Sequence, residues 1–396
     1  MEKRKILYLT PFPHVGGGET ALLYLLESLD RKRFEPNVVV TSKGQVYARL
    51  KEMKIKTSVI NLPGYSIRTL FMPGISVPGI LRLVRLIQKL KPSLIHINHP
   101  TLAVYAGIAG KLLNVPVLAT SHGTWDSIYS HQDLANRLFC DLLLPITPEV
   151  QRHLTKRGII KKEKTRVVYL GVDANRFKPA SPADKLAAKR YWNFKPDDVI
   201  VTMACRFDFT KNHLTFLKIA DSIIAQFPEV KFLIAGDFKK NLEKGSQTAI
   251  AVKKSLDEYL EKRTTIKKNI RFTGFQKDMR PVFQATDVLL SSSLSETLPV
   301  SFLEGAACGL PLLAFENTSS KRIVLQGKNG YLAPLGRSDL LTEHLLKLLR
   351  NSERRHRFGK YSREHLLAHF TITRYVNTIE SIYRQMIRRK NQDFRK

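Results

Sequence analysis

At 396 residues the chain is longer than one hydrophobic core usually serves, so two or three domains are expected. Hydrophobic residues at 43% and charged residues at 25% exclude a disordered chain, a collagen-like repeat and a coiled coil. The 65 Lys and Arg against 34 Asp and Glu leave a net charge of +31, which favours nucleic acid, anionic membrane or phosphorylated substrates as partners and leaves the fold open.

In chain order, short apolar and β-branched runs alternate with helical periodicities. The first half predicts strands at Lys5–Thr10, Asn37–Thr41, Thr57–Ile60, Ser93–Ile97, Val115–Thr120, Leu142–Ile146 and Arg166–Leu170. Helical patterns at Thr20–Leu29, Gly79–Leu90, Leu102–Leu113 and Pro148–Arg157 separate several of them. Near-continuous apolar strands divided by helices indicate a parallel sheet covered on both faces. Lys178–Asp198, rich in Pro, Ala, Lys and Asp, reads as a linker with a short helix. The rhythm then restarts with strands at Val199–Cys205, Lys231–Ala235, Ile270–Thr273, Val288–Ser291 and Leu312–Ala314. Helices are expected at His213–Gln226, Ala249–Lys262, Arg280–Ala285, Val300–Cys308 and Asp339–Leu349, with a last amphipathic one at Ile372–Arg389. Two doubly wound α/β domains joined near residue 178 account for this order, and ligands would bind beyond the carboxyl ends of the strands, in a cleft between the domains.

Three widely spaced cysteines, Cys140, Cys205 and Cys308, form neither a metal motif nor a disulfide framework, which suits a reducing cytosol. No run reaches the roughly 18 apolar residues that span a bilayer. Membrane contact, on this reading, is peripheral. Gly79–Lys91 carries Arg82, Arg85 and Lys89 on one face and Ile80, Leu83, Val84, Ile87 and Leu90 on the other. Such a helix fits either a solvated crossover or an anionic membrane surface, and the apolar stretch Tyr65–Val77 just before it adds to the second reading.

Three loops carry candidate chemistry. Gly16-Gly17-Gly18-Glu19 stands between the first strand and a helix, where backbone N–H groups can approach a phosphate. It lacks the G-x-G-x-x-G spacing of a dinucleotide site. Arg206 and Lys211 follow a buried strand and could neutralise a diphosphate. Glu296 and Glu304 sit eight positions apart, one in a post-strand loop and one on an apolar helix, where a buried carboxylate requires partners such as ribose hydroxyls. Among the remaining residues His96 and His99 read as structural, Trp125 and Trp192 as packing, and Asp126 and Asp133 as candidate partners of an acceptor hydroxyl.

The spacing Glu296-x7-Glu304, followed by Gly309-Leu310-Pro311, resembles the signature of glycosyltransferase family 4, whose members are retaining enzymes of the GT-B fold. Lys91-Pro92-Ser93-Leu94-Ile95-His96, Ala119-Thr120-Ser121-His122-Gly123, Tyr169-Leu170-Gly171-Val172-Asp173 and Phe272-Thr273-Gly274-Phe275 resemble the same family in the same order. The resemblance implies an acceptor-binding Rossmann-like domain over 1–178, with the helix at about 372–396 packing back on it, and a nucleotide-sugar domain over 179–371. It implies that Gly16 and Gly17 approach the donor phosphates and that His122 lies near the donor sugar. Arg206 and Lys211 would hold the diphosphate, Gly274 and Phe275 meet the base, and Glu296, with the amides of Thr297 and Leu298, contact the sugar. Glu304 would bind the ribose.

No metal or cofactor is implied; the substrate would be a UDP- or GDP-linked sugar, and the acceptor a saccharide or lipid-linked anion of a bacterial cell envelope, such as lipopolysaccharide. The location implied is the cytoplasm, with peripheral contact at the inner face of the membrane, and nucleic acid is not a partner. Two departures stand out: Thr297 replaces the family's usual Gly, and Asn317-Thr318-Ser319-Ser320-Lys321-Arg322 replaces its Gly-Gly and acid. The readings kept beside this one are a basic nucleic-acid-binding α/β protein and a GT-B sugar-nucleotide epimerase.

Overall fold

A computed structural model describes residues 3–63, 75–237 and 247–393. Most of the apolar stretch at Tyr65–Val77, and the side chain of Asp126, lie outside them. The chain divides into two compact units, 1–171 with 372–396, and 172–371.

The first unit holds a six-stranded parallel sheet of β1 (Arg4–Thr10), β2 (Phe34–Val40), β3 (Lys56–Val59), β4 (Leu94–Ile97), β5 (Val117–Ser121) and β6 (Leu142–Pro145), in the order β3-β2-β1-β4-β5-β6. Its central strands are buried along nearly their whole length, as a sheet covered on both faces demands. Helices α1 (Gly17–Ser28) and α2 (Gln45–Glu52) precede the crossover; α3 (Val77–Leu90), α4 (Ala103–Leu112), α5 (Ser130–Phe139) and α6 (Pro148–Thr155) follow it. Leu83, Ile87, Tyr105, Ala106, Ile95, Ile97, Leu143 and Leu154 belong to one core between sheet and helices.

The second unit repeats the plan. β7 (Val199–Ala204), β8 (Val230–Ala235), β9 (Ile270–Gly274), β10 (Val288–Ser291), β11 (Leu312–Phe315) and β12 (Gly330–Ala333) form a parallel sheet in the order β12-β11-β10-β7-β8-β9. Among the described residues its helices are α7 (Pro182–Tyr191), α8 (His213–Ile224), α9 (Gln247–Glu261), α10 (Thr264–Asn269), α11 (Arg280–Ala285), α12 (Val300–Ala307), α13 (Ser338–Leu349) and α14 (Ser352–His369). The chain then returns to the first unit as α15 (Ile372–Asp393), which packs on α1.

A polar staple fixes α15 to its sheet. His96 Nδ1 lies 2.6 Å from Tyr383 Oη and its Nε2 2.8 Å from Thr120 Oγ1, while the Tyr383 hydroxyl donates to Tyr8 at 3.0 Å. Burial holds the His96 pKa down at about 3, so its ring is neutral. Glu380, also buried, accepts the Asp30 N–H at 2.9 Å.

The segment Arg166–Leu170, read above as a strand, is not one. Arg166 and Val168 donate to the Leu143 and Pro145 carbonyls beside β6, but the run is irregular extended chain. The alternation of buried Val168, Leu170 and Val172 gave the strand signal.

Candidate active site

In both sheets the strand order reverses once, between β1 and β4 and between β10 and β7. Loops leaving the carboxyl ends of such a pair diverge and open a ligand crevice. Arg206, Lys211 and Glu296 lie on loops of the second pair and Gly16 and Gly17 on a loop of the first, while His122 follows β5 and Gly274 and Phe275 follow β9.

In the second unit, Cys205–Asn212 leaves β7 and Ser292–Pro299 leaves the adjacent β10. Backbone and hydroxyl bonds lace the two loops together. Leu294 N–H donates to the Thr210 carbonyl at 2.7 Å, and Ser292 Oγ donates to the carbonyls of Lys211 at 3.2 Å and Asn212 at 2.9 Å. Asn212 takes the left-handed conformation (φ 53°) that starts α8, a position asparagine tolerates better than most residues.

This lacing brings Lys211 Nζ to 2.5 Å from Glu296 Oε1, and Ser293 Oγ donates to the same oxygen at 2.9 Å. Both side chains are largely buried, 12% and 14% exposed, so the pair is shielded from the screening that weakens surface ion pairs. Arg206 behaves differently. Its side chain is 66% exposed and pairs at 3.3 Å with Asp208, whose other oxygen accepts the Thr210 N–H at 2.9 Å. Thr297 and Leu298 are buried in the loop, and Glu304 is buried on α12. That helix lies close against β10 because Gly305 carries no side chain: a Cβ there would stand 2.5 Å from Leu289. Gly274 ends β9 with a φ of 68°, and Phe275 after it is exposed. Asn317, in the segment that departs from the family pattern, donates from its backbone N–H to Ser320 Oγ at 2.9 Å and from its amide to the Ser293 carbonyl at 3.5 Å.

In the first unit, the glycine loop after β1 leads into α1. The Gly16 N–H donates to Glu19 Oε2 at 3.3 Å, and Gly17 begins α1, where N–H groups have no intrahelical acceptor. Gly18 packs against the His122 ring, a Cβ there standing 3.1 Å from it. Asn98, after β4, donates its amide to the Gly18 carbonyl at 3.3 Å and turns its oxygen to His122 Nε2 at 3.2 Å. Because a carbonyl only accepts, the amide orientation follows, and His122 must carry its proton on Nε2. Nδ1 is then a lone pair, buried and without a hydrogen-bond partner. Burial and nearby His99 hold the His122 pKa down at about 3, which keeps the ring neutral.

The loop after His122 is locked from α5 and α6. Asp133, fully buried, accepts from Ser127 Oγ at 2.5 Å and from Arg157 at 2.8 Å, and Arg157 also donates to the Ser127 and Ile128 carbonyls. This engagement removes Asp133 as a partner of an acceptor hydroxyl. Trp125 donates to His99 Nε2 at 3.0 Å, and Trp192 to the Pro281 carbonyl at 3.1 Å. Ser293 and Asn98 escaped the sequence reading. The serine run after β10 was a usable signal for the first, whereas nothing in the sequence marked the second.

Among the described residues, no group of three His, Cys, Asp or Glu side chains could hold a metal ion, and no helix is long and apolar enough to cross a membrane.

Two sequence models match. Glycosyltransferase Family 4 covers residues 15–176, and Glycosyl transferases group 1 covers 184–365. The chain belongs to glycosyltransferase family 4. Related proteins of this kind include UDP-Gal:alpha-D-GlcNAc-diphosphoundecaprenol alpha-1,3-galactosyltransferase of Escherichia coli, 23% identical over 97% of this chain and 98% of its own. Alpha-monoglucosyldiacylglycerol synthase of Acholeplasma laidlawii is 22% identical over 97% of both. The fold is GT-B: the crystal structure of Anabaena HepE in complex with UDP-glucose superposes with a TM-score of 0.82 at 20% identity, covering 96% of this chain and 99% of that one. A Rickettsia africae glycosyltransferase also gives 0.82, at 16% identity over 98% and 99%.

Proposed function

We propose that this glycosyltransferase moves a hexosyl unit, with retention at the anomeric carbon, from a nucleotide-diphosphate sugar to an anionic, lipid-linked or saccharide acceptor of the cell envelope. The observation that carries it is the shielded Lys211–Glu296 pair at the switch point of the second sheet. Breaking a glycosyl–phosphate bond builds negative charge on the diphosphate, and a preorganised cation there lowers the barrier without a metal. Glu296, tied to Lys211 and Ser293, would orient the sugar hydroxyls, and Arg206, exposed beside it in sequence, would swing to the leaving phosphate. Glu304 would bind the ribose, with Gly274 and Phe275 at the base and the amides of Thr297 and Leu298 at the sugar. His122, a neutral acceptor at Nδ1, would take a hydrogen bond from a sugar hydroxyl. Support for a UDP-linked donor and a lipid-linked acceptor comes from relatives: HepE holds UDP-glucose, the Escherichia coli relative is named for UDP-Gal and an undecaprenol diphosphate, and the Acholeplasma one for a diacylglycerol.

The test is a thermal-shift screen of UDP- and GDP-sugars, followed by turnover of the stabilising donor by Lys211→Ala and Glu296→Ala variants. A ligand bound by the folded state alone must raise Tm. Undiminished turnover in both variants would overturn the donor-site assignment.

A further inference from the structure

Helix α12, which carries Glu304, is wedged between two close contacts. Gly305 sets one face against β10, and the turn beyond the helix meets α14, where a Cβ on Gly359 would collide with the Gly309 carbonyl. The chain closes most of this helix end by itself. The N–H groups of Cys308, Gly309 and Leu310 donate to the carbonyls of Glu304, Ala306 and Gly305, each at 3.0 Å, with Gly309 in the left-handed conformation (φ 74°).

The Ala307 carbonyl falls to Arg363, which reaches it from α14 through Nη1. The same guanidinium donates to the Phe177 carbonyl from Nη1 and to the Ala174 carbonyl from Nη2, both at 3.2 Å. Those two carbonyls belong to a turn that Asp173 pre-forms, its Oδ1 accepting the N–H groups of Asn175 at 2.8 Å and Arg176 at 3.2 Å. One side chain therefore joins three segments far apart in sequence. The planar fork of an arginine suits this, and a positive charge at the C-terminal end of a helix is favoured by the helix dipole. Ala307 stands about one helical turn beyond Glu304. Cys308, at the same end, feels both groups: burial and then Glu304 push its thiol up to about 12, and Arg363 opposes them.

Arg355 supplies an internal comparison. It also projects from α14, and it donates to the Leu348 and Leu349 carbonyls at 2.7 and 2.8 Å, closing the end of α13 in the same way. Two arginines of one helix thus close two neighbouring helices, of which only α12 bears a candidate site carboxylate.

We propose that Arg363 is a positioning residue for the nucleotide: by closing α12 and tying its end to the turn at Asp173–Phe177, it fixes the Glu304 carboxylate where ribose hydroxyls can donate to it. The inference rests on the reading of Glu304 as the ribose ligand.

The test titrates the whole protein calorimetrically with UDP, GDP and their 2′,3′-dideoxy analogues, which lack the hydroxyls that a carboxylate would accept. The wild type should bind the ribose form of one of them about tenfold more tightly than its dideoxy form, as a hydrogen bond to a charged group requires. Glu304→Gln should erase most of that preference, and Arg363→Gln should cut it to about threefold. Arg355→Gln should lower Tm by a comparable amount and leave the preference at about tenfold, because a merely stabilising contact moves Tm and not the discrimination between the two forms. Full preference in Arg363→Gln, or an equal loss in Arg355→Gln, would overturn the inference and leave the Glu304 assignment standing. Full preference in Glu304→Gln, or no binding of either nucleotide by the wild type, would overturn the ribose reading and this inference with it. Should Arg363→Gln fail to fold, Arg363→Lys, which keeps the charge and loses the fork, is judged by the same criteria.

Discussion

The two switch points of this molecule are chemically opposite. At β7 and β10 the loops gather full charges, Lys211 against Glu296 with Arg206 and Asp208 nearby in sequence. Beside the switch point of the first sheet, the loops after β4 and β5 gather neutral groups, with Asn98 holding a deprotonated Nδ1 on a buried His122 whose pKa is pushed down to about 3. One sheet plan therefore carries two kinds of polar cluster. Under the proposed function the charged cluster would stabilise the leaving diphosphate, and the neutral acceptor would suit hydroxyl groups that change little in charge.

The sharpest break of this contrast is Lys211→Ala, which should lower kcat/KM for the nucleotide-sugar about 10²–10³-fold. Combining it with Glu296→Gln should cost little more than the single change if the pair acts as a unit; fully additive losses would argue for independent roles. Asp133→Ala leaves the Arg157 guanidinium without its carboxylate, and urea titration should register a loss of about 3 kcal/mol. A much smaller loss would mean that the loop after His122 holds itself.

Acid should weaken the neutral side. Unfolded His96 and His122 take up a proton near pH 6.5, but the folded rings resist until about pH 3. Their contribution is complete above pH 6.5 and is lost as pH falls toward 3, at about 1.4 kcal/mol per pH unit for each ring. Denaturation at pH 7.5 and 5.5 checks this, and His122→Asn should flatten the slope; a wild-type profile that is flat over that range would contradict it. Asn98→Asp would set a carboxylate beside Nε2 and turn the neutral cluster into a charged one, raising the His122 pKa by about 1–3 units in a histidine NMR titration. The smallest expected effect is Thr297→Gly. Removing this buried β-branched side chain should shift relative kcat/KM between donor sugars by less than about tenfold.

The strands were legible because a parallel sheet buries both faces and leaves apolar runs such as Ile95–Ile97 and Leu142–Leu144. Helices with mixed faces were not. α5 was missed because its polar side is the buried one, and α14 because Arg354, Arg355, Arg357, Lys360 and Arg363 outweigh the buried Phe358, Ser362 and Leu366 that mark its inner stripe. Lys211 and Glu296 could be found from their residue types and their places after strands. That Lys211 would reach Glu296 while Arg206 stayed with Asp208 depends on backbone lacing through Ser292 and Leu294, which no spacing reveals.

The staple between Tyr383 and His96 joins residues separated by an entire intervening unit, whose own ends meet where the Val172 N–H donates to the Phe370 carbonyl at 3.0 Å. During synthesis, then, the inserted unit has all of its chain before the first unit has its last helix. The later-emerging half can mature first, and the earlier one must wait for its closing segment to leave the ribosome.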